Sequence, residues 1–145
     1  MNIAVDFDGT IVEDRFPAIG PELPFAVETL RMLQKDQHRI ILWTVREGDT
    51  LREAVEWCRK RGLEFYAVNK DFPEENIELN EQFSRKLKAD VFIDDRQVGG
   101  LLDWGQIYRM ITENLTVRAF VRDELRRTLA DHQPPKKKHW WNKLF

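Results

Sequence analysis

The strongest constraint on this chain is a set of short apolar segments that each end in acidic or hydroxyl side chains. The first segment, residues 2–5, runs directly into residues 6–10, which read Asp-Phe-Asp-Gly-Thr. Strand side chains alternate between two faces, but a turn at the strand end brings Asp6 and Asp8 towards the same volume. Carboxylates held that close repel each other unless a cation or a proton lies between them. The motif therefore indicates chemistry rather than a contribution to stability.

Two later segments end in the same way. Residues 89–93 lead into Asp94 and Asp95, and residues 38–43 lead into Thr44. Apolar strands that alternate with helical patterns predict an α/β fold, here a doubly wound (Rossmann-like) three-layer sandwich with a central parallel sheet. Because the carboxyl ends of parallel strands open onto one crevice, we expect these side chains to meet there.

The order of these motifs resembles the haloacid dehalogenase superfamily of phosphohydrolases. Asp-x-Asp-Gly-Thr comes first, then a strand-ending Thr, a Lys and an Asp-Asp pair, across residues 1 to about 115. Receiver domains of response regulators use similar residues around magnesium, but their acidic pair comes first and the phosphorylated Asp later. The order in this chain favours the hydrolase.

The resemblance implies a role for each matched residue. Asp6 corresponds to the nucleophile that becomes an aspartyl phosphate, and Asp8 to the acid/base that serves the leaving oxygen and then water. Thr44 corresponds to the hydroxyl residue that holds a phosphoryl oxygen. The family lysine matches Lys86 best, with Lys88 as the alternative and Lys70 third.

The resemblance also implies Mg²⁺ as the cofactor. Asp94 matches the carboxylate that holds the metal, Asp95 is a further ligand or supports one, and Asp6 and Asp8 complete the expected set. A hard cation with oxygen ligands suits a reaction in which an anionic nucleophile approaches an anionic ester. One Cys and three His, none near the acidic motifs, do not favour zinc.

Members of the superfamily commonly carry a cap domain, for which this chain offers no room. The segments after Gly9 and after Thr44 contain only a loop and ordinary connecting elements, so we expect no cap domain and an open site. An open site suits a bulky phosphorylated substrate or a covering partner subunit. Arg46 and Arg15 are candidates to bind a second anionic group of the substrate, whereas Arg96 is expected to orient Asp95 or the following loop.

Composition places the chain among soluble single-domain proteins. It has 145 residues, 42% of them hydrophobic, and a formal charge of −2, which gives no strong nucleic-acid signal. No apolar run is long enough to span a membrane, and Met1 leads straight into the first strand, so a cytoplasmic enzyme is expected. The single Cys58 excludes an internal disulfide, and its helical position predicts a core residue.

Helical periodicity predicts the remaining elements. One helix is expected from Pro24 to about Lys35 with Phe25, Leu30 and Leu33 buried, and a second from near Thr50 to just before Gly62. A third strand is expected over 65–68, a short helix over about 81–87 and another helix over about 101–113.

The carboxyl-terminal quarter lies outside the catalytic pattern, which we assign to residues 1–115. Residues 116–131 predict an amphipathic helix that packs on the domain or forms a homodimer contact; its apolar stripe is Val117, Phe120, Val121, Leu125 and Leu129. Residues 132–145 form a basic aromatic tail, expected to be flexible, that could contact a membrane surface or a protein.

Two other functions compete with the phosphohydrolase. A phosphotransferase would use the same site and pass the phosphoryl group to an acceptor other than water. A non-catalytic binding or scaffold module would keep the fold and act through the tail, but it would have no reason to hold mutually repelling carboxylates together.

Overall fold

The structure is a computed structural model that describes residues 1–82 and 84–131. Its elements alternate between strand and helix in the first two thirds of the chain. The strands are β1 (Asn2–Val5), β2 (Arg39–Leu42), β3 (Ala67–Val68) and β4 (Val91–Ile93). The helices are α1 (Ala26–Lys35), α2 (Gly48–Arg59), α3 (Trp104–Thr112) and α4 (Val117–Asp131), with a 3₁₀ turn at Ile77–Leu79.

The four strands form one parallel sheet in the order β3-β2-β1-β4. The predicted α/β Rossmann-like architecture is therefore confirmed. Ile3, Ala4 and Val5 of the central strand are at most 1% exposed. Burial on both faces explains why this strand is continuously apolar rather than alternating.

Helix α1 matches the prediction except at its first turn. Leu30 and Leu33 are fully buried, as expected. The prediction for Phe25 is wrong, because the helix begins at Ala26, two residues after the expected start, and Phe25 precedes it in a left-handed conformation with φ of 65°. Its side chain is 69% exposed and lies outside the buried face.

Helix α2 begins at Gly48, earlier than the start expected near Thr50. The Thr50 hydroxyl donates to the Glu47 carbonyl within the first turn. Cys58 is buried, as predicted, and its burial raises the pKa of the thiol to about 12.

The predicted helix over 81–87 does not form in the described residues of that segment, which are turns and irregular backbone. Side chains just upstream bind the local backbone instead. The Glu75 carboxylate accepts from the Asp71 amide and from the Asn80 side chain, and the Asn80 side-chain oxygen accepts from the Gln82 amide. Such bonds compete with helix formation, because they satisfy backbone donors without a helical turn.

The chain divides into two compact units, of which the first is residues 1–108 and the second begins at Arg109. The division comes earlier than the boundary expected near residue 115. Within the second unit, Arg109 forms ion pairs with Glu113, Asp123 and Glu124.

Helix α4 confirms the helix predicted over 116–131. Only Phe120 of its apolar stripe is buried, and the other four members are exposed. The basic aromatic tail at 132–145 lies outside the described residues. No helix in the described ranges has the length and apolar character needed to cross a bilayer.

Candidate active site

The register of the sheet brings the motif residues to one edge. Val5 pairs with Leu42 on one side and with Ile93 on the other, so all three strands end at the same level. The Asp6 amide donates to the Ile93 carbonyl at 3.0 Å. The residues that come after these strands line a cavity of about 210 Å³: Asp6, Asp8, Trp43, Thr44, Val45, Asp94 and Arg96. Four side chains predicted for the site therefore meet there.

Three carboxylates form the acidic centre of this edge. Asp6, Asp94 and Asp95 each offer an oxygen atom within 4.8 Å of the other two, and all three residues are half-buried. Within residues 1–82 and 84–131, no Lys or Arg forms an ion pair with any of them. Converging carboxylate oxygens without a protein counter-charge fit a hard divalent cation such as Mg²⁺.

The position of Asp6 disfavours the ionised form of its carboxyl group. Burial, together with the nearby charges of Asp94, Asp95 and Asp8 and against a lowering effect of the Phe7 backbone amide, raises the pKa of its carboxyl group from 3.8 to about 7. A carboxyl group at the position of the expected nucleophile is therefore hard to ionise unless a cation joins it.

The turn after β1 is shaped by Gly9 and Thr10. Gly9 has φ of +81°, and a Cβ atom there would lie 2.7 Å from Cγ of Asp95. The buried Thr10 hydroxyl accepts from the Asp95 amide at 3.0 Å and lies 3.5 Å from carboxylate oxygens of both Asp6 and Asp95. Sequence reasoning assigned no role to Thr10, although a hydroxyl four residues after Asp6 was visible in the motif.

Asp8 is not a member of the three-carboxylate cluster and pairs with Arg46. Its two oxygens accept from Nε and Nη2 of Arg46, each at 2.7 Å. The structure thus differs from the expected metal set, because the Asp8 carboxylate is bound by a guanidinium and the cluster consists of the other three acids. Asp8 still lines the cavity although it is only 7% exposed.

The structure contradicts the expectation that Arg46 binds a second anionic group of the substrate. Arg46 is 1% exposed, and its guanidinium is occupied by Asp8 and backbone carbonyls. Arg15, the other candidate, is exposed, pairs with Glu13 at 2.9 Å and does not line the cavity.

Arg96 is the cationic side chain that lines the cavity. Its backbone amide donates to Oδ1 of Asp94 at 2.8 Å, so it fixes that carboxylate rather than Asp95. Its guanidinium lies 3.8 Å from Asp14, and the side chain is 72% exposed.

None of the three candidate lysines lines the cavity. The Lys86 ammonium lies 5.5 Å from the centre of the Phe92 ring, and the Lys70 ammonium donates to the Pro73 carbonyl. The Lys88 side chain is exposed. In its described residues, the segment before β4 places neither Lys86 nor Lys88 in the lining of the cavity.

Thr44 is held by contacts on both sides. Its amide donates to the Asn69 side chain at 2.8 Å, and its hydroxyl accepts from the Arg46 amide at 3.2 Å. Asn69 adopts a left-handed conformation with φ of 53° at the end of β3. Trp43 packs against the buried cluster around Ile41 and also lines the cavity.

One solved structure resembles this chain closely. It is described as the structure of the conserved protein coded by locus from Bacteroides thetaiotaomicron, and it is 67% identical with a TM-score of 0.77. The match covers 82% of this chain and 95% of that one. Comparisons with protein-family models and with curated proteins gave no match.

The raised pKa of Asp6 predicts an unusual pH dependence of stability. In metal-free protein, Asp6 retains its proton in the folded state well above pH 3.8 and loses it in the unfolded state, so the free energy of unfolding falls as pH rises towards about 7. Asp6→Asn removes this titration. Urea unfolding in a chelator at about pH 5 and about pH 7.5 should show the variant gaining stability relative to the native protein at the higher pH. Identical pH dependence of the two proteins would contradict the electrostatic description of Asp6.

Proposed function

The chain belongs to the family of the conserved Bacteroides thetaiotaomicron protein, and from the acidic edge of its sheet we propose that it is a magnesium-dependent phosphohydrolase. The proposed substrate is a phosphate monoester, cleaved through an aspartyl phosphate on Asp6. The match of motif order to the haloacid dehalogenase superfamily supports the same assignment.

The observation that carries this proposal is that carboxylates with no ion-pair partner among the described residues converge with a hydroxyl residue at adjacent strand ends. Asp6, Asp94 and Asp95 supply an oxygen-rich cation site, and Thr44 lines the same cavity. A phosphoryl group between Asp6 and Thr44 would meet a nucleophile on one side and a hydrogen-bond donor on the other. This arrangement of groups fits phosphoryl transfer better than a purely structural role.

Asp6, Asp94 and Asp95 are the residues proposed to hold Mg²⁺. The ion would neutralise charge between the carboxylates and the phosphoryl oxygens, and it would favour the ionised form of Asp6 that attack requires. Their carboxylate oxygens match the oxygen ligands that Mg²⁺ prefers, and the ordinary coordination of this ion leaves positions for water and phosphate.

In the first half of the proposed reaction, a carboxylate oxygen of Asp6 attacks phosphorus. The bond between phosphorus and the ester oxygen breaks, and Asp8, which must carry a proton at this stage, gives that proton to the leaving oxygen. The Thr44 hydroxyl donates to a phosphoryl oxygen as negative charge spreads over the group. The products of this half are the free alcohol and the aspartyl phosphate.

In the second half, water attacks the phosphorus atom of the aspartyl phosphate. Asp8, now a carboxylate, accepts a proton from that water, and the bond between phosphorus and Asp6 breaks. Inorganic phosphate leaves, and both carboxyl groups return to their starting states. Division of the reaction into two displacements lets one residue serve as acid and then as base.

The rim of the cavity indicates how the rest of the substrate is accommodated. Val45 lines the cavity and is 83% exposed, next to the half-buried Trp43. An apolar, open rim accepts the non-phosphate part of an ester without demanding a particular polar group. We therefore propose a substrate whose bulk extends outside the site.

The proposed function predicts magnesium-dependent hydrolysis that requires Asp6. Native protein should release phosphate from p-nitrophenyl phosphate with Mg²⁺ and lose the activity in a chelator. Asp6→Asn should lower kcat by at least about a thousandfold, since the nucleophile is gone. Asp49→Asn is a suitable control, because Asp49 carries an exposed carboxyl group that pairs with Arg52 and does not line the cavity. Equal activity of native protein and Asp6→Asn would contradict the proposal.

A second prediction concerns the cation that binds the phosphoryl group. We propose that the exposed Lys86 ammonium leaves the Phe92 ring for the phosphoryl oxygens when substrate binds. Lys86→Ala should then lower kcat/KM by about a hundredfold, whereas Lys88→Ala should change it by less than about threefold. If Arg96→Ala shows the large loss and Lys86→Ala does not, the phosphoryl cation is the arginine that already lines the cavity.

A further inference from the structure

Arg46 is the largest fully buried side chain in the described residues. Burial of a guanidinium is costly unless every donor has a partner. Here all five donor positions are used. Nε and Nη2 donate to the two oxygens of Asp8, Nη1 donates to the carbonyls of Pro17 and Thr50, and Nη2 also donates to the Ala18 carbonyl.

These bonds join three separate segments of the first unit. Asp8 belongs to the turn after β1, Pro17 and Ala18 to the next loop along the chain, and Thr50 to α2. The guanidinium also lies 5.2 Å from the ring centres of Phe7 and Phe16. Contacts from several segments therefore hold the Arg46 guanidinium in one orientation. A guanidinium held in this way can in turn hold the carboxylate that it binds.

The partner it fixes is the carboxylate at the edge of the cavity. Two parallel bonds of 2.7 Å between a guanidinium and a carboxylate define the plane of the carboxylate as well as its position. Each Asp8 oxygen retains a further lone-pair direction beyond the one used by Arg46. Lysine cannot reproduce this arrangement, because an ammonium group lacks the planar fork.

We propose that Arg46 is a positioning residue that orients Asp8 for proton transfer to the leaving oxygen. This inference rests on the proposed function. Arg46 touches neither phosphorus nor the leaving group; it holds the carboxylate that remains when the Asp8 proton has moved to the ester oxygen. Its removal should leave attack by Asp6 possible and make departure of the leaving group the difficult step.

The nature of the leaving group separates this role from general structural support. A nitrophenolate is stable as an anion and leaves with little proton donation, whereas an alkoxide leaves only when it is protonated. Misplacement of Asp8 should therefore slow alkyl esters far more than nitrophenyl esters. Partial unfolding or loss of metal would slow both esters by the same factor.

The test compares Arg46→Lys with native protein on p-nitrophenyl phosphate and on an alkyl phosphate. We expect kcat/KM to fall at least about tenfold more for the alkyl ester than for the nitrophenyl ester. Arg52→Lys is the matched control, since Arg52 is exposed and pairs with Asp49 on the surface of α2. Its selectivity between the two esters should remain that of the native protein.

A double-mutant comparison makes the test specific to Asp8. In an Asp8→Asn background, the change of Arg46 to Lys should no longer alter the ratio of the two rates, because the group that Arg46 positions is absent. Free guanidinium added to Arg46→Ala should restore part of the alkyl ester activity. Melting curves would confirm that the variants compared are folded.

The two ways of failing are distinguishable. If the native protein hydrolyses both esters but Arg46→Lys loses both equally, the positioning role is overturned and the proposed function stands. If the native protein hydrolyses neither ester, the proposed function falls and this inference falls with it.

Discussion

Mutual repulsion among Asp6, Asp94 and Asp95 is the constraint on which the site depends. Their oxygens lie within 4.8 Å of one another at the ends of two hydrogen-bonded parallel strands. Like charges at this distance oppose folding unless a proton or a cation joins them. The β1–β4 register and the close approach of Gly9 to Asp95 nevertheless hold them together. The fold therefore holds a cluster of negative charge at this edge, which a divalent cation would neutralise.

Asp8 and the three-carboxylate cluster differ in whether the protein supplies a counter-charge. Asp8 has a counter-charge within the protein, because the buried Arg46 binds both its oxygens. The cluster of three acids has no such partner among the described residues. The pair of Asp8 and Arg46 fixes the orientation of the Asp8 carboxylate, whereas the negative charge of the cluster is left for a bound cation to balance. This division is consistent with the proposed site, in which one acid donates a proton and the other three bind a metal.

The sequence predicted the strand ends well because local pattern determines them. A buried parallel strand must be apolar throughout, so the end of the apolar run in the sequence marks the end of the strand. The side chains that follow then lie at the carboxyl edge of the sheet. Asp6, Asp94 and Thr44 were placed correctly on this basis. The burial and the partners of Arg46 were not predictable, since its acceptors include carbonyls of Pro17 and Ala18, whose positions no side-chain pattern specifies. The helix expected over 81–87 does not form in the described residues of that segment, where the Asn80 side chain accepts from the Gln82 amide; periodicity does not reveal such a competing bond.

The central claim is that the three-carboxylate cluster is a divalent-cation site. Crystals grown with Mn²⁺ in place of Mg²⁺ would test it directly, because the anomalous scattering of manganese distinguishes the ion from water and from protein atoms. We expect an anomalous peak within about 2.3 Å of oxygens from Asp6, Asp94 and Asp95, and no peak at that position in Asp94→Asn. A crystal of the native protein grown in saturating Mn²⁺ that shows no anomalous peak among these three residues would contradict the claim.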